Sequence, residues 1–177
     1  MARSSRNGRL FWPVAAGFLA TDILTKRWAV HSLAPAHTRH EVLGDWMTFT
    51  LLYNPGAAFG LHLGDWSRWI FTALTIGAVI ILTRMYQSTA EGDRVKLTSL
   101  GMILGGACGN LIDRLRSSQG VVDFIDVGIG DMRWPTFNVA DIGVSCGALL
   151  LAWVLWREDR AAAAHASTTA SDTSSAR

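Results

Sequence analysis

Apolar stretches without charged residues alternate with short charged segments along the chain. Four of these stretches stand out, at residues 10–21, 69–83, 97–112 and 142–156. A membrane-spanning helix needs about 20 mostly apolar residues, and three of the four stretches approach that length only by including an aspartate near one end. The pattern predicts four transmembrane helices, at about residues 10–29, 67–86, 96–115 and 136–156.

Two alternatives to this interpretation remain open. A soluble four-helix bundle would need a polar stripe on each helix, and residues 69–83 offer only three threonines and no charge for one. A cleaved signal peptide would need a cleavage site soon after the first apolar segment. Asp22, Lys26 and Arg27 separate that segment from the small residues around Pro35, so an uncleaved first helix is favoured.

The distribution of lysine and arginine predicts the orientation. Cytoplasmic segments carry an excess of these residues, and residues 1–9, 84–96 and 157–160 hold eight of them against four in residues 30–68 and 116–136. Both termini are therefore expected in the cytoplasm, and residues 30–66 and 116–135 form outer loops. Four carboxylates would then gather at the outer face: Asp22, Asp113, Asp123 and Asp141.

The segments outside the helices predict a small outer β-sheet. Residues 46–53 and 121–129 are rich in β-branched and aromatic residues, and residues 128–131 offer a turn back to Trp134. Trp46, Trp66 and Trp69 join Trp134 at the expected outer boundary, as in an interfacial aromatic belt. Residues 1–9 are expected to form a cytoplasmic tail. Residues 161–177, rich in alanine, serine and threonine, are expected to form a disordered one.

Composition narrows the function classes. The 177 residues are 50% hydrophobic and 17% charged, against about 25% charged in ordinary soluble domains. A net charge of +2 is too small to indicate nucleic-acid binding. Cys108 and Cys146 are expected to be small buried apolar residues, and the sequence leaves open whether they pair.

The most informative polar residues lie beside the fourth apolar stretch. Asn138 and Asp141 are one turn apart, which is typical of a helix N-cap with an acidic partner, although capping alone explains Asp141 less well. Asp123 lies in an apolar strand, where a carboxylate is costly unless it faces a polar site. Two nearby carboxylates can share one proton, and an acid beside a base at neutral pH is what water-activated peptide hydrolysis requires. Asp126, further along the strand, is expected to be solvated.

Two further clusters have structural as well as functional interpretations. Asn110, Asp113 and Arg114 are either a charged helix end or part of a site, and Asp22 with Lys26 is spaced as a helix-stabilising pair. Glycines around Gly106 are expected to allow close helix packing. The five histidines lack ligand spacing with the carboxylates, so no metal is expected.

Five segments in register resemble the lipoprotein signal peptidase (signal peptidase II) family of bacterial membrane aspartyl proteases. They are Asp22 with Thr25 and Lys26, Asn54–Gly60, Gly105–Leu115, Val121–Phe124 and Trp134–Asp141. The resemblance covers residues 22–141 and leaves out both tails. It implies a mainly helical, four-span protein of the bacterial inner membrane with its active site at the outer face.

The resemblance also implies an activity and a set of site residues. The enzyme would cut prolipoproteins before a diacylglyceryl-modified cysteine, with Asp123 and Asp141 as the catalytic pair. The residues expected to support the site or bind substrate are Asp22, Lys26, Asn54, Gly106, Asn110, Asp113, Arg114 and Asn138. No cofactor, metal or nucleic-acid partner is implied; the expected partners are prolipoproteins and membrane lipid, and the expected state is a monomer. A proton-coupled membrane carrier or scaffold using the same carboxylates is the alternative.

Overall fold

The computed structural model describes residues 2–58, 61–62 and 64–175. Four long helices carry a small β region. The helices are α1 (Ala2–Ser32), α2 (Ser67–Ser88), α3 (Arg94–Arg116) and α4 (Val139–Ser175). The strands are β1 (Arg39–Glu41), β2 (Met47–Asn54), β3 (Ala57–Ala58), β4 (Leu61–His62), β5 (Val121–Ile129) and β6 (Met132–Arg133).

Helix α3 lies at the centre and packs against the other three helices. Its glycines allow this close packing, because a Cβ at Gly105 would meet the backbone oxygen of Ala15 in α1 at 2.5 Å. A Cβ at Gly106 would overlap the backbone oxygen of Ala140 in α4. These close contacts between helices confirm the packing role predicted for the glycine run.

The strands form a four-stranded antiparallel sheet in the order β1-β2-β5-β6, and β3 pairs with β4 separately. The predicted strand regions and the turn between β5 and β6 agree with this sheet. Phe49 and Phe124 of the sheet pack edge to face with Trp28 of α1, so the sheet rests on one end of the bundle. Leu52 of β2 stands opposite Asp123 of β5 in the register.

Within the described part of the chain, three helices are long and apolar enough to cross a membrane: Ser67–Ser88, Arg94–Arg116 and Val139–Ala164. The protein is therefore mainly helical, with a small antiparallel sheet and candidate membrane helices. By this measure α1 is not among them, and it carries Asp22, Lys26 and Arg27 within its C-terminal half. The bundle surface is apolar, as a membrane protein requires; Leu74 and Leu149 are 62% and 73% exposed.

The helix ends differ from the expected ones. Helix α1 begins at Ala2 rather than at residue 10, and α4 continues to Ser175 where a disordered tail was expected from residue 161. Four consecutive alanines, Ala161–Ala164, favour this continuation because alanine has the highest helix propensity. Cys146 is exposed on α4 rather than buried, Cys108 is half-buried, and both are free thiols.

Candidate active site

The two predicted catalytic aspartates lie where β5 passes the first turn of α4. Asp123 is 4% exposed, and Asp141 is half-buried. The fully buried side chain of Asn138 connects them. Its Nδ2 donates to Oδ1 of Asp123 at 2.7 Å, and its Oδ1 accepts from the backbone N–H of Asp141 at 3.0 Å. One asparagine therefore fixes the relative position of a strand carboxylate and a helix carboxylate.

Asn138 is also the N-cap of α4, which begins at Val139. The backbone N–H of Asn138 donates in return to Oδ2 of Asp141 at 3.1 Å. These two reciprocal bonds are a capping box, in which side chains at the N-cap and the third helical position satisfy each other's backbone donors. Asp141 thus belongs both to the helix cap and to the carboxylate pair.

Burial holds a proton on Asp123 near neutral pH. Its removal from water, followed by the charge of Asp141, raises the pKa of Asp123 from 3.8 to about 7. Hydrogen bonds from Asn54 and Asn138 and the charge of Lys26 oppose this rise in the pKa without cancelling it. Desolvation penalises the charged form of a carboxyl group, so this strand position supplies an acid at physiological pH.

Lys26 stands at the centre of a buried network beside the aspartates. Its Nζ is 2.8 Å from Asp22 Oδ2, from Asp113 Oδ2 and from Asn110 Oδ1. An ammonium group has three donors, and these three acceptors match them. Asn110 in turn donates from Nδ2 to Oδ1 of Asp141 at 2.8 Å, which connects the charge network to the helix carboxylate.

Asp22 supports the start of α4 from α1. Its Oδ1 accepts from the backbone N–H of Ala140 at 2.9 Å, which satisfies one of the unpaired donors at a helix N-terminus. A Cβ at Gly109 of α3 would overlap the Asp22 carboxylate, and one at Gly106 would overlap the Ala140 carbonyl. Gly109 lies within a matching segment but was not among the predicted site residues. Only the tertiary packing shows that this position has no room for a side chain.

The remaining predicted residues surround the pair. Asn54 donates from Nδ2 to Oδ2 of Asp123 at 3.2 Å, and Asp113 accepts from the backbone N–H of Val122 at 3.4 Å. The Arg114 guanidinium lies 5.8 Å from the centre of the Phe71 ring in α2, within electrostatic range of both aspartates. The structure therefore brings all ten sequence-predicted residues into one region at the junction of the bundle and the sheet.

A second polar cluster, centred on Asp126, lies further along β5. Asp126 is 5% exposed rather than solvated as expected, and it accepts from Arg133 Nε at 2.9 Å and Thr48 Oγ1 at 3.1 Å. Burial raises the pKa of Asp126, but the hydrogen bonds from Arg133 and Thr48 outweigh it, and the pKa lies below the ordinary value. Strand periodicity could not show this, because the partners come from β2 and β6.

The described residues contain no group of three or more His, Cys, Asp or Glu side chains that could hold a metal ion. The arrangement is instead a pair of carboxylates, one protonated near neutral pH and the other supported by amide donors. Such a pair can hold and deliver a proton while activating water.

Known proteins share this fold and sequence. A family model described as signal peptidase (SPase) II matches residues 14–157. A lipoprotein signal peptidase of Oleidesulfovibrio alaskensis is 38% identical over 147 residues, which cover 81% of this chain and 92% of that protein. One of Burkholderia mallei is 41% identical over 136 residues, which cover 76% of this chain and 75% of that protein.

A solved bacterial membrane enzyme, determined by the in meso method at 2.3 Å resolution, superposes with a TM-score of 0.72. It is 28% identical, and the match covers 82% of this chain and 87% of that one. With the fold and the paired carboxylates, these matches identify a membrane aspartyl peptidase. Within that class, the chain belongs to the signal peptidase II family. The family and the enzyme class predicted from the sequence are confirmed.

Proposed function

We propose that the chain removes signal peptides from prolipoproteins by a reaction in which Asp123 and Asp141 activate a water molecule. Membership of the family supports signal-peptide removal as the activity and disfavours the carrier or scaffold alternative. The observation that carries the assignment to these residues is their shared contact with Asn138 at 2.7 and 3.0 Å. Two carboxylates held by one buried residue can exchange a proton in a fixed geometry.

We infer a starting role for each carboxylate from its hydrogen bonds and its burial. Asp141 accepts from Asn110 at Oδ1 and from the backbone N–H of Asn138 at Oδ2, and these donors hold it in position as the base of the pair. Asp123 holds the proton, because burial raises its pKa to about 7. Asp141 then takes a proton from the attacking water while Asp123 donates to the peptide carbonyl, and the roles exchange when the tetrahedral intermediate collapses.

The surroundings of Arg114 support entry of a lipid-modified substrate from the membrane. The Arg114 guanidinium lies 5.8 Å from the centre of the Phe71 ring in α2 and interacts electrostatically with Asp141 in the first turn of α4. The guanidinium fork is suited to hold a polar backbone or carbonyl group close to the pair. A diacylglyceryl-modified cysteine could keep its acyl chains in lipid while its peptide reaches the carboxylates. Prolipoproteins with this modification are the proposed substrates, membrane lipid the proposed environment, and a monomer the proposed state.

Four spans with both termini in the cytoplasm complete the proposal. Helix α1 has 31 residues and is about 46 Å long at 1.5 Å per residue, more than a bilayer core requires. Asp22 and Lys26 pair inside the bundle at 0% and 4% exposure, so their charges do not face lipid. Because α1 supplies both residues to the site, an uncleaved first helix is favoured. The excess of basic residues at the other end supports an orientation with the pair at the outer face of the bacterial inner membrane.

Cleavage of a diacylglyceryl-modified precursor peptide tests the assignment. We expect Asp123→Asn and Asp141→Asn to fold and to lose activity by about 10³-fold or more. Asp131→Asn is the matched control, because Asp131 is exposed in the turn between β5 and β6, and it should cut at the wild-type rate. Cleavage at the wild-type rate by both site variants would show that the pair is wrongly assigned.

A further inference from the structure

Two arginines near the outer ends of α1 and α3 have no side-chain partner among the described residues, unlike three other arginines. Arg133 and Arg39 pair with Asp126 at 2.9 and 3.7 Å, and Arg68 donates to the Ser117 carbonyl at 3.2 Å. The guanidinium groups of Arg27 and Arg116 make no hydrogen bond, ion pair or ring contact with the residues that the structure describes, although the backbone carbonyl of Arg27 lies 2.8 Å from Nδ1 of His31. Basic residues are disfavoured on the outer side of a membrane protein, so two unpaired ones need a physical explanation.

Both arginines line one cleft of about 220 Å³ between α1 and α3, which we call the α1–α3 cleft. Ile23 lies one helical turn before Arg27, and Ile112 lies one turn before Arg116. His31 lies one further turn along α1. Because i and i+4 side chains share a helix face, each wall of the cleft has an isoleucine on the membrane side and an arginine on the outer side.

The charge of the cleft favours an anion. Lys26 and Asp113 also line it, but they pair with each other at 2.8 Å, and Lys26 pairs with Asp22 as well. These three paired groups carry one net negative charge, whereas Arg27 and Arg116 carry two positive ones. The helix dipole favours a basic residue at each C-terminus separately, but it does not require the two arginines to share a cleft.

We propose that the α1–α3 cleft binds the phosphate headgroup of an anionic phospholipid, with the acyl chains along Ile23 and Ile112. A guanidinium group can bind two phosphate oxygens at once. A headgroup that has no ammonium group keeps its net negative charge and so its attraction to the arginines. The order of apolar and basic groups along both walls matches the order of acyl chain and phosphate in a lipid. The cleft shares Lys26 and Asp113 with the network beside the Asp123–Asp141 pair, but neither arginine belongs to that network, and the proposal does not depend on the peptidase mechanism.

Photolabelling tests the proposal on the full chain. The protein is placed in phosphatidylcholine nanodiscs that contain a small fraction of phosphatidylglycerol with a photoreactive acyl chain, and the labelled peptides are mapped. We expect label on the α1 and α3 segments that contain Ile23 and Ile112. An arginine near an anionic headgroup contributes about fivefold in binding, so Arg27→Gln with Arg116→Gln should weaken labelling by about 30-fold.

The controls separate a lipid site from general charge and from free phosphate. Arg157→Gln with Arg160→Gln removes two cations from the opposite end of the bundle and should leave the label in the cleft. Unlabelled phosphatidylglycerol should compete, whereas phosphatidylcholine and inorganic phosphate should not. The single variants Arg27→Gln and Arg116→Gln should each cost about fivefold, which gives a result if the double variant unfolds. Unchanged labelling in the glutamine variants, or displacement by inorganic phosphate, would overturn the proposal.

Discussion

Asn138 donates a 2.7 Å hydrogen bond to Asp123 while its own side-chain oxygen caps the helix that carries Asp141. The start of α4 and the position of the strand carboxylate therefore depend on one buried side chain. A helix N-cap can usually be exchanged among serine, threonine, aspartate and asparagine at small cost. Here the amide nitrogen has a second task that a hydroxyl group is too short to perform.

Two substitutions of Asn138 separate these tasks. Asn138→Ser keeps an N-cap, and its free energy of unfolding should lie within about 1 kcal/mol of the wild-type value. Asn138→Ala loses the cap, and its free energy of unfolding should be lower by about 1 kcal/mol more. Both remove the bond to Asp123, and we expect both to lower kcat/KM by about 10²-fold, because small misplacements of reacting groups have costs of this size. Thermal unfolding in detergent and precursor cleavage measure the two effects. If serine restored activity, capping would be the whole role of Asn138.

The basic limb of the activity profile should report Asp123. Because burial raises its pKa to about 7, kcat/KM should fall as the pH rises through this value and the acid loses its proton. The hydrogen bond from Asn54 lowers the pKa of Asp123, so Asn54→Ala should move this limb to higher pH. The pH profile of kcat/KM for Asn54→Ala, compared with that of the control variant Asp131→Asn, measures this shift. A limb that moves to lower pH, or not at all, would contradict the assignment.

Stability should depend on the same proton. The pKa of Asp123 rises from 3.8 to about 7, so the native state binds the proton more tightly than the unfolded state. The stabilisation by protonation is present in full below about pH 4 and is lost as the pH rises through about 7. Asp123→Asn carries a neutral amide and should lack this contribution. The difference in unfolding temperature between wild type and variant, followed against pH, should move in favour of the variant between about pH 4 and pH 7 and level off above that range.

Local patterns predicted the parts of this molecule that depend on neighbours in sequence. The strands at 46–53 and 121–129, the cap at Asn138 and the Asp22–Lys26 pair all follow from periodicity or spacing of one to four residues. The burial of Asp126 does not, because Arg133 and Thr48 come from other strands. The need for glycine at Gly109 arises from a carboxylate 87 positions away, on another helix. Such long-range contacts form only when the bundle packs.

Removal of the Lys26 charge should destabilise the bundle more than removal of a whole ion pair. Lys26→Met leaves Asp22, which is 0% exposed, as an uncompensated buried carboxylate, and breaking a buried pair in this way costs about 3–5 kcal/mol. Lys26→Met with Asp22→Asn removes both charges and should recover part of the loss. Thermal unfolding of the two variants in detergent gives the comparison. A double variant less stable than Lys26→Met would contradict the pairing.

Glycine-to-alanine substitutions test the close packing behind the site. A Cβ at Gly109 would overlap the Asp22 carboxylate, so Gly109→Ala must displace the group that holds the Ala140 N–H at 2.9 Å. We expect a loss of about 1–3 kcal/mol from overpacking, together with reduced cleavage because the first turn of α4 carries Asp141. A Cβ at Gly77 of α2 would meet no neighbouring atom within 4 Å. Gly77→Ala should therefore cleave at the wild-type rate, and its stability should equal or slightly exceed that of the wild type. Unfolding temperature and kcat/KM measured on both variants separate site packing from the general effect of alanine in a helix. Equal behaviour of the two variants would mean that α1 and α3 can move apart without disturbing the carboxylates.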